Sequence, residues 1–300
     1  MMGFFRNMKY HSNMTVRAGI ATINYVSEKK IRAINHKVAS KFANNSSISF
    51  LSYNNLMCID NSLPFYIRHL QIPSDLHNNK ADPFAWPIDP MLHIMDLNDQ
   101  HCLIFNKFTI IKWHSLLITK LFETQHQHLR LIDFKESFYI MTALKGLMFY
   151  NSNPDAGASQ SHKHIQIVPC NEFPSRLLLD EIDNYGRNLK GANTLPWYNF
   201  CHCIYIFDRK LNEEREPSRI LNNAYWKCAE KINNLALNAG FNLIATNNWL
   251  LMVKRKRDSY KGVKVNALGF IGSFAVKSKD QLKTILNTRP LSLLKELCED

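Results

Sequence analysis

An α+β fold is predicted by three features of this 300-residue sequence. Short apolar runs are separated by turn residues, amphipathic helical periods recur between them, and 46% hydrophobic against 21% charged residues can fill a core. The expected architecture is an antiparallel sheet with helices packed on one face, extended by a C-terminal strand and helix segment. No run approaches the ~18–20 apolar residues of a membrane-spanning helix, so the chain reads as soluble, with no membrane partner.

Residues 1–45 read as an N-terminal extension ending in a helix. The extension has no acid before Glu28 and carries Arg6, Lys9 and Arg17, a charge pattern shared with organellar transit peptides. Without a continuous apolar core it reads as a loose tail on a cytoplasmic protein, with organellar targeting as the alternative. From Glu28 to Ala43, Ile31, Ile34, Val38 and Phe42 recur at helical spacing. Residues 46–70 read as strand and loop, and Asn78 to Pro90 as a connector. His101–Phe108 and Ser115–Lys120 read as strands. Asp133 can cap a helix with Phe138, Met141, Leu144 and Met148 on its buried face, ending near Asn151. Another extended run begins at His162.

Beyond Pro174, Ser218 caps a predicted helix through Leu221, Cys228, Ile232 and Leu235, stopped by Gly240. Phe241–Thr246 and Trp249–Lys254 flank Asn247-Asn248, a hairpin signal because Asn tolerates positive φ. A strand is expected at Gly269–Val276, and helix from Asp280 to Leu297, interrupted at Pro290. Seven scattered cysteines are an odd count and suit a reducing compartment rather than a disulfide framework. Cys201-His202-Cys203 lacks a matching pair at zinc spacing and reads as strand cysteines, so no metal site is assigned.

Net charge is +12, from 37 Lys and Arg against 25 Asp and Glu. That excess suits polyanionic partners such as nucleotides, nucleic acid or an anionic membrane surface, or simply reflects a basic chain. Lys254-Arg255-Lys256-Arg257 reads as a solvated hairpin end, with an anion-binding or targeting patch as the alternative.

The chemistry concentrates in His162-Lys163-His164-Ile165-Gln166-Ile167-Val168. In an extended chain His162, His164 and Gln166 share one face while Ile165 and Ile167 enter the other. This is either a strand with one wet face or a nucleophile flanked by orienting donors. A neutral imidazole can attack phosphorus, and Gln166 can donate to a phosphate oxygen without acting as a base. Upstream, Gly157-Ala158-Ser159-Gln160 is a small-residue turn in which backbone N–H groups can approach phosphate. His114 either lines the site or is plain hydrogen-bonded structure.

The run from Tyr150-Asn151-Ser152 through Gly157-Ala158-Ser159-Gln160 to His162-Lys163-His164-Ile165-Gln166 resembles the signature of diadenosine tetraphosphate phosphorylases, also called ATP adenylyltransferases. They are histidine-triad (HIT) enzymes of the galactose-1-phosphate uridylyltransferase branch. Phe105-Asn106-Lys107-Phe108 with His114, and Asn242-Leu243 through Asn266-Ala267-Leu268-Gly269-Phe270, resemble further stretches of that family. The resemblance spans about residues 65–280. It implies a HIT-like sheet, with a catalytic region at 46–178 and a C-terminal ATP adenylyltransferase region at 179–300 completing the site.

On this resemblance His164 is the nucleophile that takes AMP, with His162 and Gln166 beside it. Substrate would be held by Asn151, Gly157, Ala158, Ser159, Gln160, Gln166, Asn266, Ala267, Leu268 and Lys277. Asn106 and Lys107 match a further substrate-contacting pair, and Lys80 is the candidate for an N-terminal lysine. Ser273 stands where some relatives carry methionine near the nucleotide. The implied reaction cleaves diadenosine tetraphosphate with phosphate to ATP and ADP, with no tightly bound cofactor and Mg²⁺ accompanying the polyphosphate. Other readings are a uridylyltransferase or a hydrolase on the same scaffold. A non-catalytic nucleotide- or RNA-binding protein is a third, but the joint presence of His164, Gln166 and the loop makes nucleic acid the less favoured partner.

Overall fold

The computed structural model describes residues 27–43, 45–71, 82–175 and 177–298. The N-terminal tail and Lys80 lie outside these residues. Helix α1 (residues 27–43) buries Ile34 and Val38, as its period requires. Strands β1 (Ser49–Phe50), β2 (Ser52–Asp60) and β3 (Leu63–Gln71) follow, with β2 and β3 forming a hairpin. The expected strand at 101–108 is divided into β5 (His101–Phe105) and β6 (Phe108–Thr109), because Asn106 turns the chain with its side chain bonded to the Phe108 amide. β4 (His93–Asp96) precedes this pair and β7 (Ser115–Thr119) follows it.

Helix α2 (Leu131–Leu144) starts as expected near Asp133, whose Oδ2 accepts from the Arg130 amide at 2.7 Å. It ends at Leu144, seven residues before the expected stop. Lys145 adopts φ 48° and closes the helix, and residues 146–151 form strand β8 (Gly146–Asn151). A Cβ at Gly146 would lie 2.2 Å from the Val168 carbonyl oxygen, so strand pairing at this point requires glycine. Met148 is buried, as predicted, but from a strand.

β9 (His164–Pro169) pairs with both β8 and β7. Then come α3 (Leu178–Gly186), β10 (Gly191–Asn193), β11 (His202–Ile206) and α4 (Pro217–Lys231). Glu216, not Ser218, is the N-cap of α4, with Pro217 and Ser218 in its first turn, and the helix stops at Lys231 rather than reaching Leu235, which is exposed. Asn233 turns left-handed, and the Asn234 side chain then bonds both the amide and the carbonyl of Ala239. Gly240 begins a strand instead of ending a helix. The expected hairpin is β12 (Gly240–Ala245) with β13 (Trp249–Arg255), followed by β14 (Ser259–Tyr260) and β15 (Val263–Lys264). The expected strand at 269–276 is shortened to β16 (Ser273–Val276), since Asn266 caps a 3₁₀ turn over Ala267–Ile271. Helices α5 (Lys279–Thr288) and α6 (Pro290–Glu296) meet at Pro290.

Nine strands form one antiparallel sheet in the order β10-β11-β13-β12-β8-β9-β7-β5-β4. Alternation sorts its side chains. Met148, Tyr150, Ile165, Ile167, Leu243 and Met252 pack under α1, α2 and α4 on one face. Leu147, Phe149, Val168, Ile244, Leu251 and Val253 enter a core on the other face with α3, α5, α6 and a small sheet, β16-β3-β2. A third cluster, Phe84, Ile88, Cys102, Ile104, Leu116 and Ile118, covers the β5–β7 end. Since Leu116 and Ile118 sit opposite Gln166 and His164, these two residues belong to the same face as that third cluster.

Cys203 is buried, whereas Cys201 precedes β11 and is exposed, so the two thiols are not equivalent strand cysteines. Arg255 corrects the reading of 254–257 as solvated, because it is 2% exposed. No helix among the described residues is long and apolar enough to cross a membrane.

Candidate active site

His164 opens β9, where the Gln125 side chain fixes its backbone. Gln125 Oε1 accepts from the His164 amide at 2.7 Å, while Gln125 Nε2 donates to the His164 and Asn151 carbonyls. The imidazole is 4% exposed, and the Phe84 ring lies 5.1 Å away. Its Nδ1–H donates to the His162 carbonyl at 2.9 Å, which leaves Nε2 as the lone-pair nitrogen. Burial pushes the His164 pKa down to about 4, partly offset by the bond to His162. The ring is therefore neutral and nucleophilic throughout the neutral range.

His162 lies just outside the strand, yet Phe84 touches both rings, so they share a face. An acceptor faces each of its nitrogens: Asp82 Oδ2 at Nδ1, 2.8 Å, and the Thr119 carbonyl at Nε2, 2.8 Å. Held on both sides, His162 fixes the carbonyl that orients His164. Asp82 had no signal in the sequence, being one polar residue in a connector.

Gln166 is oriented by His114. Asn106 Nδ2 donates to His114 Nδ1 at 3.1 Å, so His114 carries its proton on Nε2 and donates to Gln166 Oε1 at 3.0 Å. Burial lowers the His114 pKa to about 4, which keeps this relay neutral. With its oxygen occupied, Gln166 presents its amide N–H groups to a ligand. Asn106 thus acts inside the relay, while Lys107 is exposed and takes no carboxylate partner among the described residues. His114→Phe is expected to lower the turnover rate about 10- to 100-fold by freeing Gln166 to rotate. His114→Gln should restore part of the loss, and steady-state rates of the two variants check this.

The small-residue turn is built differently from the expectation. The Gly157 amide donates to Pro154 O and the Ala158 amide to Asn153 O, so both are spent within the turn. The amides of Ser159 and Gln160 have no partner among the described residues and are the donors left for phosphate. Gly157 has φ +88°, and a Cβ there would lie 2.9 Å from Val265 O, so glycine is required for both conformation and approach.

Asn151 joins the two halves of the site. Its Oδ1 accepts from Asn242 Nδ2 at 2.8 Å and from the Ala267 amide at 2.9 Å. Asn242 Oδ1 in turn accepts from buried Arg255, which also donates to Val265 O and Arg257 O. Burial lowers the Arg255 pKa to about 10, against the smaller raising effects of Cys298, Asp258 and Asp155. The Ala267 amide is bound to Asn151, and the Leu268 amide to Asn266 Oδ1 at 3.0 Å, so neither is free. A cleft of about 250 Å³ is lined by Gly157, Ala158, Ser159, Asn266, Leu268 and Ser273, with Ile110, Val265 and Phe274 as apolar wall. Lys277 is exposed at the end of β16.

The described residues contain one group with metal-capable spacing, His93, Asp96 and Cys102 at the β4–β5 edge. Its Asp96 already holds Lys120 at 2.9 Å, and burial drives the Cys102 thiol pKa up to about 12, so this set is poorly suited to a cation.

Residues 33–179 match the model of the Ap4A phosphorylase N-terminal domain, and residues 193–300 match the ATP adenylyltransferase C-terminal domain. A curated relative, diadenosine 5',5'''-P1,P4-tetraphosphate phosphorylase 2 of Saccharomyces cerevisiae, is 25% identical over 240 residues, 68% of this chain and 71% of the relative. The crystal structure of yeast Ap4A phosphorylase Apa2 in complex with AMP is similar in fold. Its TM-score is 0.76 at 22% identity, covering 88% of this chain and 96% of that one. The Apa2 complex with Ap4A gives a TM-score of 0.75 at 21% identity, covering 88% and 97%.

Proposed function

The chain belongs to the Ap4A phosphorylase and ATP adenylyltransferase family, and from that premise we propose how its residues divide the work of cleaving Ap4A with phosphate. The observation that carries the reading is the His164 ring, neutral, with Nδ1–H committed to the His162 carbonyl and Nε2 left unbonded among the described residues.

In the first half-reaction, the His164 Nε2 lone pair attacks the α-phosphorus. The bond from that phosphorus to its bridging oxygen breaks, and ATP leaves with the bonding electrons, an anion needing no proton. The ring becomes positive as the N–P bond forms, and the His162 carbonyl already accepts its remaining N–H. Gln166 and the Ser159 and Gln160 amides donate to the non-bridging oxygens, where charge develops. Lys107 and Lys277 offset the charge of the leaving polyphosphate, and Mg²⁺ accompanies it as part of the substrate. In the second half-reaction, a phosphate oxygen attacks the same phosphorus, the P–N bond breaks, and ADP and neutral His164 result. Seven free cysteines suit a reducing compartment, and the cytoplasm is the proposed location.

Mass spectrometry of the protein incubated with Ap4A in the absence of phosphate tests the scheme. A single AMP adduct on His164, with one equivalent of ATP released, is the expected result, and added phosphate should discharge it as ADP. Release of free AMP without phosphate would instead identify a hydrolase.

A further inference from the structure

Arg68, on β3, carries a charge that no group among the described residues balances. It is 2% exposed, and among the described residues its one hydrogen bond runs from Nη1 to Ser273 Oγ at 2.6 Å. Its Nε has no partner. The rings of Tyr53 and Phe173 flank the guanidinium at 5.6 and 5.9 Å, and no carboxylate lies within ion-pairing distance among the described residues. Burying a cation in this way is costly unless something supplies the opposite charge.

Strand register indicates where that charge belongs. β16 runs parallel to β3 with Ser273 opposite Tyr66 and Ala275 opposite Arg68, so Arg68, Ser273 and Ala275 project from one face of the small sheet. Ser273 and Ala275 line the same cleft as Gly157 and Ser159. Because Ser273 Oγ accepts from Arg68, its own proton is directed elsewhere, and it has no acceptor among the described residues. The cleft is also lined by Lys264 and Asp258, which pair with each other at 2.8 Å, and Arg255 donates to the carbonyl of the cleft residue Val265.

We propose that Arg68 and Ser273 form an anion subsite, in which Arg68 acts as a positioning residue that holds Ser273 Oγ–H toward a phosphoryl oxygen. The anion is either the polyphosphate chain of the dinucleotide or the incoming inorganic phosphate. This rests on the phosphorylase reading and adds a pair of residues to it.

Arg68→Met tests the pairing, because it keeps a stem between the two rings and removes the charge. The KM for one or both anions is expected to rise about tenfold or more, with kcat within about threefold. The melting temperature of the ligand-free protein should stay the same or increase, an outcome that a merely structural arginine would not give. A rise confined to the KM for Ap4A assigns the subsite to the substrate chain, and a rise confined to the KM for phosphate assigns it to the acceptor. Arg68→Lys should recover part of the lost affinity. Unchanged KM for both anions overturns the proposal, whatever the melting temperature. If Arg68→Met does not fold, Ser273→Ala decides, since it removes only the hydroxyl: the same KM should rise, and an unchanged KM overturns the subsite. If the wild type shows no phosphorolysis, the underlying reading fails on its own. Titration of wild type and Arg68→Met with ATP and with inorganic phosphate then tests the subsite separately, with equal affinities in the two proteins overturning it.

Discussion

His164→Ala should reduce phosphorolysis on the order of 10⁴-fold or more, while affinity for AMP and ATP stays within about threefold of the wild type. The separation of the two effects follows from the geometry. In the proposed scheme the imidazole supplies the attacking nitrogen, whereas the ligand contacts are assigned to the Ser159 and Gln160 amides, Gln166 and the cleft beside Ser273. Single-turnover rates and nucleotide titration check the two halves. A variant keeping more than about a hundredth of wild-type turnover would exclude His164 as the nucleophile. Loss of nucleotide affinity alongside turnover would point instead to a collapsed strand.

Asp133→Ala should cost about 3–5 kcal/mol of stability, the largest structural effect expected of a single substitution near the site. Lys163 lies between the two histidines, and alternation sends its side chain to the opposite face, where it is 2% exposed. Its Nζ sits 2.8 Å from Asp133 and 3.2 Å from Glu123, and Asp133 also holds His101 at 2.7 Å. Removing the carboxylate leaves a buried ammonium leaning on Glu123 and the distant His128 carbonyl at 3.4 Å. Burial by itself would raise the Asp133 pKa, but His101 and Lys163 outweigh it and bring it down to about 2. Since a free aspartate titrates near ~3.9, the folded value is the lower one. Its contribution of about 2–3 kcal/mol is present above pH ~4 and lost as pH falls from there toward 2. Urea unfolding of wild type and Asp133→Asn should therefore converge across that window. A gap that stays constant from pH 6 to pH 2.5 would rule out this role for the carboxylate.

Much of the site was legible because strand alternation is a strict rule. It placed His164 and Gln166 on one face and Ile165 and Ile167 on the other before any coordinates. The hairpin at Asn247-Asn248 forms where expected, but neither asparagine has positive φ, so what was legible was a polar turn between two apolar runs and not a demanding backbone conformation. What failed depended on contacts between distant segments. The apolar run 138–150 satisfies a helical period and a strand equally well, and only the close packing of Gly146 on Val168 separates them. The amides of Gly157 and Ala158 looked available, but the turn's own carbonyls take them, and only the folded chain brings the Asn151 side chain to the Ala267 amide. Asp82 and Arg68 carried no motif. Each is recognised by what it faces, a histidine ring in one case and a serine hydroxyl in the other.

The seam between β8 and β12 has a consequence for dissecting the molecule. Asn151 meets Asn242 at this pairing, and the main sheet continues through it from the histidine strand into the C-terminal strands. A fragment cut after α3 would carry the nucleophile but end in a raw, greasy edge, its asparagine missing the amide that holds it. The histidine half is thus not a minimal enzyme.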